Sequence, residues 1–207
     1  SWRRDPAPYR VWVSEVMVQQ TRVEVVIPRY LRFLERFPDL RSLARAREDA
    51  VVAEWSGLGY YSRARALHDA AGQVLARHGG EFPRNPAAAR ALPGIGPYTA
   101  GAILSIAYNL PEPIVDGNVE RVLTRLFRIG GDPKASRVRA RITALARELI
   151  PEARASEFNQ SMMELGALIC LPASPRCRDC PLAELCKAHG SGLEDRYPET
   201  RARKTTE

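Results

Sequence analysis

The nine residues Leu92-Pro93-Gly94-Ile95-Gly96-Pro97-Tyr98-Thr99-Ala100 constrain the fold more than any other stretch of this chain. Prolines and glycines at 93, 94, 96 and 97 interrupt one helical pattern, and an apolar helical run resumes after them, so the segment reads as a hairpin between two helices. Gly94 and Gly96 are expected to take backbone angles that a side chain forbids, and to let another backbone come close. The amides around Gly94, Ile95 and Gly96 are then free to donate. A helix from about Tyr98 to Tyr108 aims its positive end at the same point, which suits a phosphate. A plain corner between two helices is the alternative.

The rest of the chain is also read as helical, with no strand pattern, internal repeat or low-complexity segment. Tyr9, Trp12, Val13, Val16 and Met17 form an apolar stripe in a stretch running to Thr21. Helices are expected at about Arg22 to Phe37, Asp39 to Ala46, Asp49 to Trp55 and Ala64 to His78, then a short alanine-rich one after Pro86. After the hairpin, Val119, Val122, Leu123, Leu126 and Phe127 form the buried face of a helix that starts near Asp116. Two more follow at about Ser136 to Ile150 and Glu157 to Cys170.

At 207 residues and 45% hydrophobic content the chain can bury a core as one domain or two small lobes. Its net charge of +7 comes from 31 basic side chains, of which only Lys134, Lys187 and Lys204 are lysine. An arginine-rich positive field attracts a polyanion, nucleic acid being the commonest. No run of 18 apolar residues and no signal-peptide pattern is present, so the expected setting is cytoplasmic and reducing, without a membrane.

Two carboxylates stand out. Glu15 lies off the apolar stripe, yet its neighbours three and four residues away are Val11, Trp12, Val18 and Gln19, so the helix is apolar on nearly every side. A carboxyl group there is expected to be desolvated, with its pKa raised so that it can carry a proton near neutral pH, as a general acid must. A glutamate reaching solvent from a helix end is the bland reading. Asp116 stands at a helix N-terminus, where amides and the dipole favour the ionised form, and an ordinary helix cap explains it equally well. Environments that push two carboxyl pKa values apart divide acid and charge-stabilising roles between them.

Ser56-Gly57-Leu58-Gly59-Tyr60-Tyr61-Ser62-Arg63 places two tyrosines on a short glycine turn beside arginines. Such a turn suits a wedge into a base stack, although one of the two tyrosines is expected to pack in the core. Cys170, Cys177, Cys180 and Cys186 are all the cysteines in the chain and fall within 17 residues. In a reducing setting they read as one tetrahedral thiolate site. Structural zinc usually takes two C-x-x-C pairs and only Cys177 and Cys180 make one, so a four-iron cluster fits at least as well. Arg176, Arg178 and Lys187 decorate the loop and could face a phosphate backbone.

The spacing Cys170-x6-Cys177-x2-Cys180-x5-Cys186, with the hairpin and Asp116, resembles the endonuclease III superfamily of helix-hairpin-helix DNA glycosylases. Within it, residues 12–21 (WVSEVMVQQT), 57–61 (GLGYY), 116–119 (DGNV) and 158–160 (FNQ) are most similar to the MutY-type adenine glycosylases. The resemblance implies an all-α fold: a six-helix barrel lobe over 7–112, a lobe of 1–6 and 113–190 holding a [4Fe-4S] cluster on the four cysteines, and a polar tail over 191–207. DNA would lie in the groove between the lobes. It implies a monomeric, bacterial, nucleoid-associated enzyme acting on double-stranded DNA that contains a mispaired adenine.

The implied reaction flips adenine from opposite 8-oxoguanine or guanine and hydrolyses its N-glycosidic bond. Glu15 would protonate the base, Asp116 would stabilise or transiently bond the sugar cation, Asn118 would position Asp116 or water, and Tyr98 would line the pocket near the sugar. Gln20 and Tyr60 would fill or wedge the duplex, and Gln19, Gly94, Gly96 and Thr99 would contact DNA. Trp2, Arg3 and Glu164 would touch the base pocket. Bifunctional relatives carry a lysine nucleophile where this chain has Tyr98, so base removal without strand cutting is expected. The 8-oxoguanine-reading C-terminal domain of the typical enzyme is not part of the sequence. A mismatch thymine glycosylase on the same scaffold, a non-catalytic DNA-binding module and a zinc-ribbon domain are the rivals.

Overall fold

The computed structural model describes residues 6–199, and among these all regular structure is helical. The chain divides into two compact units, Ser1–Glu112 and Pro113–Glu207.

The first unit carries α1 (Pro8–Val18), α2 (Val23–Arg36), α3 (Leu40–Arg45), α4 (Glu48–Glu54), α5 (Ser62–Arg77), α6 (Pro86–Arg90) and α7 (Pro97–Tyr108). Two of these form its centre. Residues 11–17 of α1 and 99–106 of α7 are buried without a break, and the two helices pack on each other, with α2 and α5 also against α1. A helix apolar all round can only be an interior one. Around them, α3 and α4 pack on α5, and α6 on α7. Trp12 meets Phe82 edge-on at 5.2 Å, and Phe33 meets Phe37 and Trp55 in the same manner, so aromatic rings fill the spaces between helices of unequal length. Local signals set the helix starts: Asp39 and Ser42 form a reciprocal capping box before α3, and the Asn85 side chain accepts from Ala87 and Ala88 before α6.

Two expectations fail in this unit. The first helix does not run to Thr21. It stops at Val18 because the carbonyls of Val16, Met17 and Gln19 accept from the Arg63 guanidinium instead of from a further helical turn, and Gln20 takes a φ of 55°. Neither tyrosine of the glycine turn is in the core, since Tyr60 is 62% and Tyr61 41% exposed. Leu58, buried, fills that place.

The second unit packs α8 (Gly117–Phe127) against α9 (Ser136–Leu149) and α10 (Ala155–Leu168). Beyond α10 the chain forms short 3-10 turns at Cys177–Asp179, Ala183–Leu185, His189–Ser191 and Glu194–Arg196. This irregular segment closes on the end of α8, where the amides of Lys187 and Ala188 donate to the carbonyls of Leu126 and Arg125. The buried face of α8 also differs from expectation. Val119, Val122 and Leu123 are buried, but Leu126 and Phe127 are only half-buried, while Arg121, Thr124 and Arg125 are inside. No helix among the described residues is long and apolar enough to cross a membrane.

Candidate active site and cysteine centre

In the first unit the site is built on α1 and α7. Glu15 is 3% exposed, and the Tyr98 hydroxyl, in the first turn of α7, donates to its Oε2 at 3.1 Å. The glutamate is therefore an interior side chain held by a phenol, not a helix-end residue reaching water. One turn further on, the Gln19 amide donates to Thr99 Oγ1 at 3.1 Å. Thr99 is buried, so its side chain ties α7 to the end of α1.

The hairpin confirms one glycine and corrects the other. Gly94 has a φ of 72°, and a Cβ there would meet the Ala66 methyl at 2.9 Å, so both conformation and close approach require glycine. Gly96 has an ordinary φ of −83° and open space around it. What it contributes is an N-cap with no side chain over the first turn of α7. The Ile95 amide is not free, because it donates back to Leu92 at 3.2 Å.

Gln20 and Tyr60 are both exposed, and both take left-handed backbone angles, 55° and 47° in φ. Trp2 and Arg3 lie outside the described residues. Glu164 is exposed on α10.

In the second unit Asp116 caps α8: its Oδ1 accepts from the Val119 amide at 2.8 Å and its Oδ2 from Asn118 Nδ2 at 3.0 Å. Asn118 is fixed in turn by Arg121, whose Nη2 donates to Asn118 Oδ1 at 2.9 Å and to the Gly166 carbonyl at 2.7 Å, while its Nε reaches the Cys170 carbonyl at 2.7 Å. Gly166 lies directly against this turn. A Cβ there would fall 2.6 Å from Asn118 Cβ and 2.9 Å from its backbone carbonyl atoms. We expect Gly166→Ala to cost about 1–3 kcal/mol by overpacking, measured by thermal unfolding, and to displace Asn118 from Asp116.

All four cysteines are unpaired, half-buried thiols, and together with Ile169, Ala183, His189 and Glu194 they line one small cavity. Burial first, then Glu194, Cys170 and Cys186, push the Cys177 thiol up to about 11, and burial raises Cys180 as well. Gathered thiolates are thus unfavourable without a cation between them, which is the donor chemistry of a metal or cluster site. One positive partner is already built in, since Arg125 Nη1 lies 3.4 Å from Cys170 Sγ. Sequence reasoning missed His189 and Glu194, hydrogen-bonded to each other and close to Cys177. It also missed Arg121 and Arg125. The signal was present: positions 118, 121 and 125 share one helix face, next to the apolar stripe where a solvated arginine does not belong.

The chain is 49% identical over 186 residues to an adenine DNA glycosylase of Rattus norvegicus, covering 89% of this chain but 36% of that protein, so it spans about a third of that relative's length. Among solved structures, a thermostable thymine-DNA glycosylase superposes with a TM-score of 0.82 at 27% identity, over 92% of this chain and 88% of that one. A trapped endonuclease III-DNA covalent intermediate superposes with a TM-score of 0.75 at 25% identity, over 90% and 86%. The family described as HhH-GPD superfamily base excision DNA repair protein matches residues 13–148, a span that takes in the buried Glu15, the hairpin and the Asp116 cap. The chain belongs to the HhH-GPD superfamily of base excision DNA repair proteins.

Proposed function

We propose that the chain is the base-removing portion of an adenine DNA glycosylase that excises adenine opposite 8-oxoguanine or guanine in bacterial DNA without cutting the strand. The observation that carries this is the interior carboxyl of Glu15, held by Tyr98 where a strand-cutting relative has an amine. Identity of 49% to an adenine glycosylase, against 27% to the thymine enzyme, favours adenine as the base.

In this reading Glu15 gives its proton to N7 of the flipped adenine as the C1′–N9 bond breaks, and the bonding pair leaves with the base. Asp116 meets the positive charge left on the sugar with the carboxylate that Val119 and Asn118 orient, and water then adds to C1′, its released proton restoring the acid form of Glu15. The uncapped first turn of α7 and Gly94 approach a phosphate, and Gln20 and Tyr60 enter the base stack. Cys170, Cys177, Cys180 and Cys186 hold a [4Fe-4S] cluster; its iron-thiolate bonds, when formed, cross-link the segment between them.

The test is base release from duplexes with A opposite 8-oxoguanine, A opposite G, or T opposite G, in the parent and in Glu15→Gln. Adenine released by the parent alone supports the reading, and thymine release alone replaces it with the mismatch thymine enzyme. A second test follows from Tyr98. Tyr98→Lys puts an amine beside Glu15, and borohydride is expected to trap a covalent protein-DNA adduct absent from the parent. A folded, DNA-binding variant that traps nothing would show that position 98 does not face the sugar.

A further inference from the structure

Two turns of separate origin meet at a single side chain, Arg63, in the first turn of α5. Its Nη1 donates to the carbonyls of Val16 at 2.8 Å, Met17 at 3.1 Å and Gln19 at 2.6 Å. Its Nη2 donates to Thr21 Oγ1 at 3.1 Å, Leu58 O at 3.0 Å and Gly59 O at 3.2 Å. The guanidinium carbon also lies 5.6 Å from the ring centres of both Trp55 and Tyr60. Thus one planar cation joins the loop that ends α1 to the glycine turn at 57–61, and rests on the buried Trp55.

The two residues it brackets are both strained. Gln20 and Tyr60 have positive φ without being glycine, and both side chains are exposed. Such a backbone costs about 1–3 kcal/mol per residue and persists only where the surroundings over-determine it. Five of the six acceptors are backbone carbonyls just before these residues and the sixth, Thr21 Oγ1, directly follows Gln20, so Arg63 supplies that determination. Lysine cannot take its place, because an ammonium has three donors and no plane to stack on a ring.

We propose that Arg63 is a positioning residue for duplex opening: it locks the turns carrying Gln20 and Tyr60 at one spacing, so that both enter the base stack as a pre-formed wedge. This rests on the wedge reading above. The gain is preorganisation, since neither turn has to be ordered while the stack is being broken.

Single-turnover adenine release is measured on two duplexes, one with adenine opposite 8-oxoguanine in an intact stack and one with adenine opposite an abasic site, where the stack is already open. The parent is compared with Arg63→Ala, Arg63→Lys and Thr21→Val, the last removing one acceptor and keeping the cation. Arg63→Lys is expected to lose roughly 10- to 100-fold on the intact duplex and to stay within about threefold of the parent on the abasic one. Fluorescence of a 2-aminopurine beside the target should rise correspondingly more slowly, and Thr21→Val should show a smaller loss of the same pattern. Equal losses on both duplexes overturn the proposal, since they mean that α1 and Glu15 have moved. Full activity of Arg63→Lys also overturns it. Should Arg63→Ala not fold, Arg63→Lys and Thr21→Val decide. If the parent releases no adenine from either duplex, the glycosylase reading fails, and the 2-aminopurine comparison still judges the clamp.

Discussion

Replacing Glu15 with glutamine is expected to lower adenine release by about a thousandfold or more, while duplex binding stays within about threefold of the parent, because a positioned general acid alone contributes ~10²- to 10⁴-fold. The substitution isolates chemistry from structure. Glutamine has the same shape, and its amide oxygen can still accept from the Tyr98 hydroxyl, so the buried site between α1 and α7 keeps its packing and its hydrogen bond to Tyr98. What glutamine lacks is the proton. Asp116→Asn is a less clean probe, since both carboxylate oxygens already accept from N–H donors, Val119 N and Asn118 Nδ2. An amide must turn its NH₂ toward one of them, which costs stability as well as charge. The pair of variants is therefore expected to differ: unchanged melting with lost release for Glu15→Gln, lowered melting with lost release for Asp116→Asn. Release that survives Glu15→Gln would remove Glu15 from the reaction.

The parts of this site that could be read from the sequence are those where a single local rule decides. Seven successive buried positions in α1 follow from an apolar surround, and Asp116 capping α8 follows from its place before a helical stripe. The cysteines converge because four thiols so close together leave few other arrangements. The rest depends on partners distant in sequence. Nothing local to Gly96 distinguishes a glycine needed for its angle from one needed for open space. One of Tyr60 and Tyr61 is expected in the core, yet both are exposed and Leu58 is buried instead. Thr99 is adjacent to the hairpin and looks available to DNA, yet Gln19, eighty residues earlier, holds its hydroxyl. Arginines are the largest omission. Arg63, Arg121 and Arg125 each donate to several backbone carbonyls in segments distant in sequence, and composition alone counts them as surface charge.

Arg125 carries the second large effect. It is 2% exposed, and it donates to Leu171 O at 2.6 Å, Pro172 O at 3.0 Å, and Glu194 O and Tyr197 O at 2.9 Å each, besides Cys170 Sγ. The segment it holds has no regular structure beyond short 3-10 turns, so apart from Glu194 O, which also accepts from the Tyr197 amide, these carbonyls have no ladder to fall back on. Arg125→Leu fills much of the same volume but leaves the Leu171, Pro172 and Tyr197 carbonyls without their guanidinium donor, and each buried unpaired acceptor costs about 1–3 kcal/mol. Since water reaches part of this half-buried loop, the expected total is roughly 3–5 kcal/mol, seen as lowered thermal stability. On the proposed [4Fe-4S] reading, the purified variant should also hold less iron and sulfide than the parent, and protease should cut it between 171 and 199. Arg176→Ala is the matched comparison, because Arg176 pairs with Asp179 at the surface of the same segment. An exposed pair of that kind contributes only about 0–1 kcal/mol, so that variant should keep both stability and iron. The contrast discriminates between two ways a basic loop can be stabilised. If Arg125→Leu and Arg176→Ala behave alike, general charge holds the cysteine segment; if only Arg125→Leu fails, one buried guanidinium does so by satisfying carbonyls that the chain itself cannot.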